Sequence, residues 1–111
     1  MEKKQSSRHR KFIRSFLCTV LDDFDCGGRI ECAHVRKGLP SGERAGIAGK
    51  PHDAFTLPLC QTHHREQHRI GEQSFERKYK VNLLQTALGL ARISPCPIVK
   101  AKAVAIQEAS R

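Results

Sequence analysis

The stretch Leu57-Pro-Leu-Cys60-Gln-Thr-His63-His64-Arg-Glu-Gln-His68 decides the fold, because it reads as a short strand running straight into a helix that carries three histidines. Residues 54–60 have the aromatic and β-branched content of a strand, and Pro58, which has no N–H, confines that strand to an edge or an end. Thr62 suits the N-cap of the following helix, Glu66 puts acidic charge in its first turns, and Gly71 offers a stop just beyond Arg69. On such a helix His64 and His68 lie one turn apart on one face, where two imidazoles can hold one divalent cation. Imidazole favours zinc, nickel or another transition ion over magnesium. Cys60 and His63 form a Cys-x-x-His pair, the spacing of half a structural zinc site, which Cys18 and Cys26 could close, with Cys32 able to replace either.

Downstream, Phe75, Tyr79, Leu83, Leu84, Ala87, Leu88 and Ala91 recur every three or four residues, which predicts one or two amphipathic helices over residues 72–92. Residues 94–111 mix Pro, Ala and Lys and read as a tail, mobile or forming a short helix. Upstream, residues 37–51 hold four of the eight glycines and two prolines, so they predict a long surface loop. Gly27-Gly28 marks a turn into a hairpin-like strand over residues 29–35, ending near His34. Residues 1–10 are rich in Lys and Arg and read as a flexible basic arm, leading into a helical segment over residues 11–20. Residues 11–93 are the expected domain.

A chain of 111 residues allows one compact domain, and with 39% hydrophobic residues and no Trp its core would gain from a metal. The formal charge of +9 favours a polyanionic partner, nucleic acid first, although charge also serves solubility alone. The apolar runs are far shorter than the roughly 20 residues of a membrane span, and no secretory leader is recognisable, so the expected location is cytoplasmic, away from membranes. Five cysteines without an export signal argue against a disulfide framework and leave two uses, metal ligation or burial as small hydrophobes. Cys96, between two prolines, suits the second.

Taken together, Cys-Gly-Gly, Glu-Cys-Ala-His34-Val-Arg, a Gly-rich loop, Lys50-Pro-His-Asp53 and Leu-Pro-Leu-Cys60-x-x-His-His64-x-x-x-His68 resemble the phage-associated HNH endonucleases. These are also called ββα-metal or His-Me finger nucleases, and the resemblance covers roughly residues 14–92. It implies an α+β fold in which a β-hairpin and a helix form a ββα-metal finger, with flanking N- and C-terminal helices. It implies His34 as the base and His64 and His68 as metal ligands. Three positions depart from the family pattern: Ala33 where a ligand usually precedes the base, Phe55 where an Asn usually orients it, and Leu21 where a second zinc cysteine would follow Cys18. Asp53 is the candidate for a missing polar role. The expected activity is metal-dependent hydrolysis of DNA phosphodiesters, with Mg, Mn, Ni or Zn as the ion and a structural zinc on the cysteines. Arg36, Lys37, Arg44, Lys50, Arg65 and Arg69 are the expected phosphate contacts. The alternative expectation is a metal-stabilised nucleic-acid-binding module without catalysis.

Overall fold

A computed structural model describes residues 2–21, 24–43 and 51–109, with residues 2–5 described by their backbone alone. The chain is α+β, with helices α1 (Glu2–Arg14), α2 (Gln61–Ile70), α3 (Glu72–Tyr79), α4 (Leu83–Arg92) and α5 (Pro97–Ala109) and strands β1 (Ile30–His34) and β2 (Thr56–Cys60). The strands pair antiparallel, from Ile30 opposite Cys60 to His34 opposite Thr56. They are not joined by a tight turn, since the Gly- and Pro-rich residues 35–55 intervene and return through a 3-10 turn at Asp53–Phe55.

Every residue of β2 is buried, because α1, α2 and α4 all pack on it. Pro58 sits opposite Cys32, and its carbonyl accepts hydrogen bonds from both the N–H and the hydroxyl of Thr19, each at 2.8 Å. The free edge that a proline marks is thus sealed by the segment after α1. Phe55, Leu57, Leu59, Phe75, Leu83 and Val99 are fully buried around this sheet.

The N-terminal end departs from the sequence expectation, whereas the C-terminal end takes the helical one of its two expected forms. Most of residues 1–10 belongs to α1, and the helical segment expected over residues 11–20 stops at Arg14, where Ser15 and Phe16 close the last turn through N–H bonds to Phe12 and Ile13 carbonyls. His9 and Ile13, four apart on one face of α1, are both fully buried. The last residues form the thirteen-residue α5, which packs on α1 and α4 and buries Val99 and Ala103. One buried hydrogen-bond chain ties both ends to the middle. Ser94 Oγ lies 2.8 Å from His9 Nδ1, and His9 Nε2 lies 3.2 Å from Thr56 Oγ1. The high density of charge in residues 1–11 hides this face, because one of its two fully buried residues is a histidine and only Ile13 is apolar.

The helix after β2 begins as expected but is capped otherwise. Cys60 Sγ accepts the His63 N–H, whereas the Thr62 hydroxyl donates to the Gly27 carbonyl at 3.3 Å. Gly71 ends the helix with φ 85° and ψ 156°, a region open essentially to glycine alone. The expected one or two helices over residues 72–92 are two, broken where Lys80 adopts a left-handed φ of 56° and Asn82 caps α4 through the Gln85 N–H.

Candidate functional site

Two neighbouring sites share α2. On its inner side, His63 Nδ1 lies 3.5 Å from Cys18 Sγ, 3.5 Å from Cys26 Sγ and 3.2 Å from Cys60 Sγ. An imidazole nitrogen has one proton or one lone pair, so hydrogen bonding alone does not account for three sulfurs at this range. Four ligands arranged tetrahedrally about zinc, at about 2.3 Å for sulfur and 2.0–2.1 Å for nitrogen, place S and N about 3.5 Å apart. The four donor atoms lie within 4.8 Å of one another, and the cluster could hold a metal ion such as zinc. Burial pushes the Cys18 thiol up to about 11. Burial also acts on Cys60, but the N–H groups of His63 and Gly27, together with the Cys26 and His63 side chains, outweigh it and bring that thiol down to about 7. A central dication is the charge that would hold all three as thiolates. No disulfide involves any of the five cysteines. Leu21, where a zinc cysteine was expected by resemblance, is 56% exposed; Cys26 completes the set instead, brought back by the turn before β1.

On the outer side, His34, His64 and His68 line one pocket of about 510 Å³ with Cys32, Gln67 and Glu72. Cys32 and His34, two apart on β1, project from the same face of the strand. Ala33 between them is fully buried and the pocket wall passes it by. His34 donates from Nε2 to Asp53 Oδ1 at 2.8 Å. A carboxylate only accepts, so the ring proton is on Nε2 and Nδ1 is the nitrogen with the lone pair. Asp53 also receives Arg10 Nη1 at 2.5 Å. Burial alone would raise the Asp53 carboxyl, but the bonds from His34 and Arg10 more than reverse it and hold it at about 2. Phe55, two residues on, is fully buried in the core and does not reach the base.

His64 donates from Nδ1 to Glu31 Oε1 at 2.9 Å, which leaves its Nε2 bare, and His68 Nε2 lies 3.3 Å from that atom. Two nitrogens on one tetrahedral ion at about 2.0–2.1 Å sit about 3.3 Å apart, so the pair has the spacing of adjacent ligands. The hydrogen bond from His64 holds the Glu31 carboxyl below its ordinary range. The buried Gln67 donates to the His34 carbonyl at 3.1 Å and so fixes α2 against the end of β1. Glu72 accepts the N–H groups of Arg36 and Lys37, anchoring the chain as it leaves the strand.

The family model described as "Protein of unknown function (DUF968)" matches residues 1–92. The chain belongs to the DUF968 family. No curated protein and no solved structure matches it. In this DUF968 protein the match runs from α1 to the end of α4, so it takes in both clusters on α2 and leaves out α5.

The expected basic contacts are scattered. Arg36 borders the histidine pocket, but Lys37 Nζ pairs with Glu76 at 2.8 Å. Arg65 and Arg69 line a separate hollow with Asp25, Glu66 and Lys78. Arg44 and Lys50 lie outside the described residues. Sequence reading missed Arg10, Glu31, Gln67 and Glu72. Glu31 is three residues before His34 and carried a visible signal, since a carboxylate near a ligand histidine is the usual partner of its second nitrogen. The others become neighbours only through tertiary packing.

Proposed function

We propose that this protein is a metal-dependent DNA endonuclease of the HNH type, with β1, β2 and α2 acting as a ββα-metal finger. One observation carries the reading: His34 from β1 and the His64–His68 pair from α2 meet in one pocket, and His34 and His64 each have a carboxylate behind the ring. His34, with Asp53 on Nε2, presents Nδ1 to accept a proton from water as its oxygen bonds to phosphorus and the phosphorus bond to the leaving oxygen breaks. Asp53 holds the ring in that tautomer and balances the charge it gains. Arg10 keeps Asp53 ionised. A divalent cation on His64 and His68, as Mg, Mn, Ni or Zn, would supply positive charge for the phosphate oxygens. The residues present fit such an ion by donor type and spacing. The Cys18, Cys26, Cys60 and His63 set fits a structural zinc.

Plasmid nicking with each of these metals tests the proposal. Active protein should lose about 10²–10⁴-fold of its rate as His34→Ala while still binding DNA. Salt-sensitive binding with no nicking under any metal would refute the nuclease and establish the non-catalytic binding module in its place.

A further inference from the structure

The histidine pocket does not end at His64. A second hollow of about 540 Å³ adjoins it, sharing Cys32 and His64 as lining and adding Glu31, Arg14 and Arg29. Together the two make a groove that follows β1, with Arg29 just before the strand and Arg36 just after it. The strand climbs about 3.4 Å per residue, and one strand of DNA advances about the same distance per nucleotide. From Ile30 to His34 the groove therefore matches roughly four nucleotides of a single strand.

The charges along this groove differ in how they are balanced. Arg10 is committed to Asp53, and Lys37, Arg69 and Lys78 are paired with glutamates elsewhere. Arg14, one turn beyond Arg10 on the same face of α1, and Arg29 are both exposed, and neither has a carboxylate within 4.0 Å among the described residues. Glu31, the nearest acid in the hollow, already accepts from His64 and Gln61. Two guanidiniums from different elements thus open onto one hollow without a direct ion pair among the described residues, although the Glu31 carboxylate feels the charge of Arg29. Guanidinium is the side chain best suited to bidentate binding of phosphate oxygens. Arg65 and Arg69, in contrast, leave α2 about 100° and more around the helix from His64.

We infer that Arg14 and Arg29 bind successive phosphates of the DNA strand that enters the histidine pocket, so that the basic face of α1 is part of the substrate groove. This rests on the nuclease reading for the identity of the polyanion. The groove makes α1 a working element of the site, where the sequence suggested only a flexible basic arm.

The test measures the salt dependence of binding to a short DNA duplex by fluorescence anisotropy, in a His34→Ala background so that the probe stays intact. Each phosphate contact contributes about 0.9 to the slope of log K against log salt. The added pair Arg14→Gln/Arg29→Gln should lower the slope by about 1.8, which makes the loss of affinity between 50 and 200 mM salt about 12-fold smaller. Arg65→Gln/Arg69→Gln should leave it unchanged, and Arg14→Lys/Arg29→Lys should restore most of it. Thermal melting of each variant separates a folding defect from a lost contact. An unchanged slope in the Arg14/Arg29 variant, or a loss confined to Arg65/Arg69, overturns the inference while leaving the nuclease reading intact. Absence of salt-dependent DNA binding in the parent protein overturns both.

Discussion

Replacing His9 with Gln should remove most of a pH dependence of stability that the buried hydrogen-bond chain creates. The Cys96 N–H donates to Ser94 Oγ, and Thr56 Oγ1 donates to the Asp53 carbonyl at 2.6 Å. Those two bonds set the direction of the rest: Ser94 gives its proton to His9 Nδ1, and His9 gives its Nε2 proton to Thr56. The chain is complete with neutral imidazole, and a second ring proton would have to be held, as a charge, in a buried site where Ser94 must give up its own hydrogen bond to His9. Burial, aided by the charges of His52 and Arg10 and opposed by Asp53, lowers His9 from 6.5 to about 4. The unfolded chain binds this proton first as pH falls, so the stabilisation is full above about pH 6.5 and is lost on the way down to about 4. At pH 5 the loss amounts to about 2 kcal/mol relative to pH 8. Urea unfolding at pH 8 and pH 5 reads it directly. The wild type should lose about 2 kcal/mol more than His9→Gln over that interval, with contributions of the other histidines and of metal binding common to both. Equal losses would mean that His9 titrates as a solvated side chain, and the packing of α1 on the core would be refuted.

Metal removal should act on the whole fold. The free energy of binding to a structural zinc site, about 10–16 kcal/mol, is comparable to the entire stability of a domain this size, so a chelator strong enough to strip the Cys18, Cys26, Cys60 and His63 cluster should abolish the cooperative melting transition seen by circular dichroism. One equivalent of zinc should be released as the transition disappears; melting unaltered by chelation would reduce the cluster to packed thiols. Gly71→Ala should cost about 1–3 kcal/mol by urea unfolding, from backbone strain alone, because φ 85° and ψ 156° exclude other residues while a Cβ there meets nothing within 4 Å. A neutral result would mean that α2 and α3 join in another geometry.

The elements around α2 were legible in the sequence because their signals are local. Pro58 before a histidine-bearing helix, Gly71 at its end and the three-four spacing of Phe75 to Ala91 each act within a few residues. The four members of the candidate metal cluster were legible from ligand chemistry, since a Cys-x-x-His pair is half a zinc site, but only tertiary packing separates Cys18 and Cys26 from Cys32. Packing of α1 was not, because its buried face holds a histidine and an isoleucine amid six basic residues, and periodicity counts only apolar positions. Thr62 looked like a cap by residue type, yet the cap position lies two residues earlier, where a thiol takes the same bond. The expected phosphate contacts are spread over different faces for a related reason. Closeness in sequence to a site histidine says nothing about which side of α2 a side chain leaves, and Arg65 follows His64 directly while facing another hollow.

The same helical geometry explains why the two histidine sites belong to one device. His63 and His64 are neighbours in sequence but about 100° apart around the helix axis, so a helix that turns His63 inward must present His64, and with it His68, on a different face. Cys60 contributes twice to that setting: its sulfur caps the helix through the His63 N–H and also lies 3.2 Å from His63 Nδ1. Cys18 and Cys26 reach the same ring from the segment between α1 and β1. Their joint hold therefore fixes both the start of α2 and its rotation, and Gln67 fixes the far end against the His34 carbonyl. With rotation and position both set, Glu31 on β1 meets His64 and Asp53 meets His34 without either histidine having to find its partner independently. A domain with a small apolar core thereby builds a precise outer pocket from an inner cluster, and the pairing of the two explains why three histidines crowd into six residues of one helix.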